Sequence, residues 1–286
     1  MNAFELVIDP RQRPVGAGTV RRLLPYRKRR MVGPFVFTDL IGLEEIPAGR
    51  TASVDAHPHI GLATVTYLLD GRMVHRDSTG AVQTIEPGAV NWMTAGSGVT
   101  HTERSVPQDV ALARTVAGLQ LWVALPEEAE ECEPSFLHAP ASSIPSLSHG
   151  DSTVRLAVGD GWGEQSPVAG ASPLVLAEVA LREGSPVPIS VPHEELAVLA
   201  VTGSISVDDH PLAEGQLAIL ERTAATLSGE GTAMVLGGDR LGPRHIWWNF
   251  VHSDADRIEA AKADWMAQRF PTVPGDHDPW IPLPGS

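Results

Sequence analysis

Two short motifs hold the residue types in this chain best suited to chemistry. His57 and His59 open the stretch HPHIGLATVTYLLDGRMVHRDSTGAVQTIEPGAVNWMTAGSGVTHTE, and His101 and Glu103 close it. In an extended strand, side chains two residues apart project from the same face, so each pair offers two donor atoms to one side of a sheet. If the two strands neighbour each other in a barrel, three imidazoles and one carboxylate converge on a single interior point. That nitrogen and oxygen donor set suits a divalent transition metal: iron, manganese, nickel, copper or zinc. A lone histidine in an apolar strand is more often a core or surface residue. The second pair of donor types, at the far end of the same β segment, is what separates these four from that background. His75, in MVHRDS, falls at a strand end or turn and reads as a surface histidine or one standing behind the ligands.

The elements that must position these residues are β-rich. Gly71, Gly80, Gly88, Gly96 and Gly98 punctuate the alternating apolar segments VTYLL and VNWM. The segment ends on the apolar strand GLQLWVALP, and Trp92 and Trp122 read as core aromatics, either of which could line a cavity. The acidic run EEAEECEPSF (127–136) is expected to be a solvated turn or linker. Between 137 and 172, His138 and His149 stand without a partner at ligand spacing and are not assigned to metal. Residues 173–238 repeat the β pattern weakly, PHEELAVLAVTG echoing HPHIGLATVTYLLDG, which points to an internal duplication. The echo has lost its ligands: Glu194 and Glu195 follow His193, and no His-x-Glu appears after QLAILERT. Near the end, Ser253 and Asp256 resemble a capping box, and Ile258, Ala261, Trp265 and Met266 recur at helical spacing. An amphipathic helix over 254–269 is expected to pack on a barrel, with His245 and His252 as structural residues.

Composition limits the function classes. The 286 residues suit two domains or one large β domain, and 27 Gly with 24 Pro favour many turns and short strands. A hydrophobic share of 43% supports a proper core. The net charge of −14 argues against direct nucleic-acid binding. The basic run RKRR (27–30) is expected to be a solvated turn. Cys132 is the only cysteine, which fits a reducing compartment. With no apolar leader and no membrane-length run, the cytoplasm is the expected location and no membrane is a partner.

The pattern HPH-x-G-x-x-TVTY-x-x-x-G, then HRDS-x-G, then PG-x-V-x-WMTAG-x-G-x-x-H-x-E resembles the pirins, which are bicupins. VRR-x-LP, RRMVGPF-x-F-x-D and GPRHIWWNFVHSDADRIEAAKADW extend the resemblance over most of the chain. It implies an all-β fold of two tandem cupin-type barrels (jelly rolls) with a short C-terminal α-helix. Residues 1–132 would form the metal-binding barrel, and 133–286 a metal-free one whose tail returns to the first. The resemblance implies that His57, His59, His101 and Glu103 hold the metal, with Fe(II) first among the ions and Mn, Ni, Cu or Zn as alternatives. Many members carry Arg and Glu where this chain has Ile60 and Ala63. Some pirins are quercetin 2,3-dioxygenases, so a flavonol or similar small enol or phenol is the implied substrate, with Glu103 also serving as catalytic base. Two further readings stay open: a redox-responsive regulator that binds a protein partner, and a metal that only staples the barrel. A monomer is expected.

Overall fold

The computed structural model describes residues 3–16, 18–42 and 45–285. They divide into two compact units whose segments interleave in sequence. One comprises 13–20, 41–138 and 242–286, and the other 1–12, 21–40 and 139–241. The prediction of an all-β chain with two cupin domains and one short α-helix holds.

The first unit is built on alternation. Strands β1 (Val54–His59), β2 (Leu62–Asp70), β3 (Met73–Asp77), β4 (Val82–Ile85), β5 (Val90–Thr94), β6 (Val99–Ser105) and β7 (Ala117–Ala124) follow one another, with short glycine-bearing turns from β1 through β6 and a longer segment, 106–116, from β6 to β7. They sort into two antiparallel sheets. One has the order β1-β6-β3-β4, and the other places β2 between β5 and β7. Leu68 of β2 packs against Met73 of β3 and Ile85 of β4, so side chains of both sheets meet in one cluster. Gly61, at φ 66°, makes the turn from β1 to β2, and a Cβ there would collide with the Val251 carbonyl. Only glycine allows both the left-handed turn and that close approach.

The second unit is a larger antiparallel sheet. It contains β8 (Ser152–Gly161), β9 (Leu174–Leu181), β10 (Val187–Ser190), β11 (Glu195–Val207), β12 (Leu217–Leu220) and β13 (Ala224–Gly238). Its path runs β12-β11-β13-β9-β8, with β10 beside β13 and the first strand, Phe4–Ile8, beside β12. Leu156, Val175, Val179, Val198, Ala200 and Val235 are among its core residues. The RKRR turn belongs here. Arg27, Lys28 and Arg30 are exposed, as expected of a solvated turn, but Arg29 turns inward to Glu195 at 2.7 Å and Glu5 at 3.3 Å.

Helix α1 (Ala255–Met266) belongs to the first unit, and three expectations around it are corrected. Asp254, not Ser253, is the N-cap, its side chain accepting from the Asp256 backbone N–H at 2.9 Å. Ser253 is drawn away because its backbone N–H and hydroxyl both donate to Glu130, at 2.8 and 2.5 Å. Met266 is 59% exposed, because the buried stripe is Ile258, Ala261 and Trp265, and residue 266 lies past its edge. The acidic run at 127–136 is not wholly solvated either. Glu130 is 1% exposed and forms a 2.8 Å ion pair with buried Arg244. A carboxylate pairs in this way when partners distant in sequence supply charge and donors.

Candidate metal centre

The pairing of β1 with β6 turns the two spacing motifs into a site. His101 lies directly opposite His57, and Val99 opposite His59, so alternate residues of both strands share the inner face. One atom from each of His57, His59 and His101 lies within 4.8 Å of the others. The His59 and His101 Nε2 atoms are 3.1 Å apart, and the His57 and His101 ring centroids 4.1 Å apart. The sequence motifs therefore bring three imidazoles together. The Glu103 carboxylate falls outside this 4.8 Å set, two residues beyond His101 on β6 and opposite His75 of β3.

Backbone carbonyls orient two of the rings. His57 Nδ1 lies 2.7 Å from the Asp55 carbonyl and His59 Nδ1 lies 3.1 Å from that of Asn249. A carbonyl oxygen only accepts, so each Nδ1 carries the proton and each Nε2 keeps its lone pair. Burial is the largest influence on all three imidazoles and disfavours their charged forms. It lowers His57 to about 4 against the opposing Asp55 hydrogen bond, with the charges of His75 and Arg104 helping. His59 and His101 are pushed well below the ordinary value. Near neutral pH the cluster is three neutral imidazoles, the form in which histidine ligates a metal.

Glu103 responds to the same burial in the opposite direction. Its carboxyl is raised above the ordinary range, with His75 pulling the other way, and its Oε1 is sealed from solvent without a hydrogen-bond partner. His101 Nδ1 is likewise buried and unpartnered. Converging imidazole nitrogens beside an orphaned carboxylate oxygen are donors that fit a divalent cation.

Residues outside the two motifs complete the surroundings. His75 is buried, not at the surface: its Nε2 donates to Asp77 Oδ2 at 2.9 Å and its ring stacks on Phe136 at 4.5 Å. Burial pushes the Asp77 carboxyl up, but hydrogen bonds from His75 and Thr79 outweigh it and hold it below its ordinary range. The signal for this pair was the same two-residue spacing that marks the ligand motifs. Trp122 is buried with its ring edge-on to His59 at 5.0 Å, making it part of the wall. On the outer side, Arg104 bridges Asp55 at 2.6 Å and Asp276 at 2.8 Å, and Ile281 N–H donates to the Ala56 carbonyl at 2.8 Å. The C-terminal tail is thus tied along β1. No sequence spacing announces Asn249 or Asp276 as neighbours of the site. His138 and His252 are engaged elsewhere, with Asn91 at 2.7 Å and Glu131 at 3.1 Å.

A cupin sheet pair with inward imidazoles on two adjacent strands, followed by a second cupin unit, defines a bicupin whose three-histidine cluster suits a divalent metal. Known proteins narrow the class. A family model described as Pirin matches residues 17–123, and one described as Pirin C-terminal cupin domain matches 176–271. A pirin-like protein of Caulobacter vibrioides is 43% identical, the alignment covering 98% of this chain and 99% of that protein. A Pseudomonas aeruginosa protein provisionally named a quercetin 2,3-dioxygenase is 37% identical over 90% of this chain and 82% of its own. The crystal structure of a quercetin 2,3-dioxygenase from Acinetobacter baumannii superposes with a TM-score of 0.91 at 30% identity, covering 98% of this chain and 95% of that one. The chain belongs to the pirin family.

Proposed function

We propose that this pirin is a metal-dependent dioxygenase of the quercetin 2,3-dioxygenase type, acting on a flavonol or a similar small enol or phenol. The observation that carries the proposal is the convergence of three neutral imidazoles, with the buried, unpaired carboxylate of Glu103 two residues beyond His101 on the same strand. His57, His59 and His101 would hold Fe(II) through their inward nitrogens, with Glu103 as the fourth ligand. The ion would supply a Lewis-acidic centre for an oxygen-bearing substrate. Glu103 doubles as general base. Its unpartnered Oε1 is free to take the proton of a substrate hydroxyl. Trp122, edge-on to His59, offers a flat apolar wall for an aromatic substrate. The names of the Acinetobacter and Pseudomonas relatives support the reaction class.

Anaerobic loading with Fe(II), metal analysis and oxygen uptake with quercetin test the proposal. Wild type is expected to hold one metal per chain and consume oxygen. His101→Ala should lose the metal, and Glu103→Ala the oxygen uptake. A loaded wild type that consumes no oxygen would overturn the dioxygenase proposal and favour the regulatory reading.

A further inference from the structure

The two-residue turn between His245–Trp247 and Phe250–His252 carries an unusual backbone beside the metal centre. Trp248 sits at φ 50°, a left-handed conformation that a bulky L-residue keeps only when its surroundings impose it. The surroundings are aromatic. The Trp248 ring meets Phe250 edge-on at 5.6 Å and Trp265 of α1 at 6.4 Å. Its neighbour Trp247 stacks on Phe250 at 6.2 Å beneath the Lys262 ammonium, 4.4 Å from the ring centre. The strand after the turn is fixed to the residue that follows His59. Phe250 bridges to Ile60, and Val251 N–H donates to the Ile60 carbonyl at 3.3 Å.

Between these anchors, Asn249 aims its carbonyl oxygen at His59 Nδ1, 3.1 Å away. That contact requires the proton to be on Nδ1 and leaves the Nε2 lone pair facing His101 Nε2. Glycine would make this turn without strain, but it would present no ring to the aromatic cluster and leave the carbonyl free to swing. We propose that Trp248 is a positioning residue. Its packed, left-handed turn holds the Asn249 carbonyl on His59 and so fixes the tautomer whose Nε2 can ligate. The role rests on His59 being a ligand, but the tautomer itself is a property of the chain that can be read without metal.

The test uses the full chain with 15N-labelled histidine, stripped by chelator, as wild type, Trp248→Ala and Trp248→Phe. Nitrogen NMR assigns the His59 tautomer, and calorimetry with Ni(II) alone then gives the affinity. Wild type is expected to show one tautomer, protonated on Nδ1. Trp248→Ala should show both tautomers and a 10- to 100-fold weaker Ni(II) affinity, the usual scale for losing a partner of a ligating histidine. Trp248→Phe, which keeps a ring in the cluster, should recover both properties. The inference is overturned if wild-type His59 is protonated on Nε2, or if Trp248→Ala keeps the single Nδ1–H tautomer. Should Trp248→Ala fail to fold, Trp248→Gly, which accepts the positive φ, replaces it with the same expected outcome. A locked wild-type tautomer with no Ni(II) uptake would sink the metal site, and the ligation half of the role with it, while leaving the turn's control of the tautomer standing; Ni(II) uptake with unchanged tautomers in the variants would do the reverse.

Discussion

Acid should weaken the fold through the imidazole cluster, and His57 allows the size to be worked out. Burial holds it at about 4 in the folded chain, against 6.5 for an exposed histidine. As pH falls through 6.5, the unfolded chain takes up a proton that the folded chain refuses until about 4. The unfolded state then binds more protons, so stability falls with falling pH inside that window and levels off below it. At about 1.4 kcal/mol per pH unit, His57 alone should cost about 2 kcal/mol by pH 5 and about 3 kcal/mol by pH 4. His59 and His101 shift in the same direction and make the slope steeper. The assay is urea unfolding in chelator at pH 8, 6.5 and 5, comparing wild type with His57→Gln. Wild type should lose about 2 kcal/mol more than the variant between pH 8 and pH 5. Parallel losses would refute the assignment of His57 as a buried neutral imidazole.

Three further outcomes follow from single environments. Glu103→Gln should raise the melting temperature at pH 7 in chelator, because the raised folded-state pKa means that ionising the buried carboxyl costs stability; the gain should shrink as pH falls toward the 4.5 of an exposed carboxyl. Glu130→Ala should lower the urea-derived stability by about 3–5 kcal/mol, since it strands buried Arg244, and Glu130→Ala with Arg244→Met should recover much of that loss. Ile60→Arg, which introduces the residue many pirins carry, should destabilise this chain by several kcal/mol, whereas Ile60→Val should cost only about 1 kcal/mol, both read from thermal melts. Ile60 is fully buried among Phe250, Trp265 and Phe270, where an arginine would find no carboxylate partner within that cluster.

The parts of the site written as strand alternation were legible in the sequence. His57, His59 and His101 share a face because the period of a strand is two, and their motifs lie on adjacent antiparallel strands. The all-β character followed from the same alternation and from the glycine punctuation. What escaped depends on long-range pairing. His75 looked like a turn residue because its burial comes from Phe136 and Asp77, the first supplied by a segment that read as acidic linker. Glu130 looked solvated because Arg244 and Ser253, which satisfy it, lie more than 110 positions away. The capping residue was misplaced by one because Ser253 also has a long-range partner, and a local motif cannot register that competition.

Ile60 and Ala63 link these observations to the chemistry. Both are fully buried, and Ile60 carries the aromatic cluster to within one residue of His59. Burial removes water from the imidazoles and from Glu103 alike, and this single physical cause shifts the two residue types in opposite directions. Desolvation lowers the histidines and raises the carboxyl, so each is driven toward its uncharged form. For the imidazoles that form is the ligand. For Glu103 it is the protonated acid, and a nearby divalent cation would oppose the shift by favouring the carboxylate. The apolar packing around Ile60 adjoins the ligand strand as well as the tail, one residue from His59. Replacing Ile60 with a polar residue should move the Glu103 carboxyl even if the three histidines keep their positions, and a pH profile of oxygen uptake in Ile60→Gln against wild type would register it.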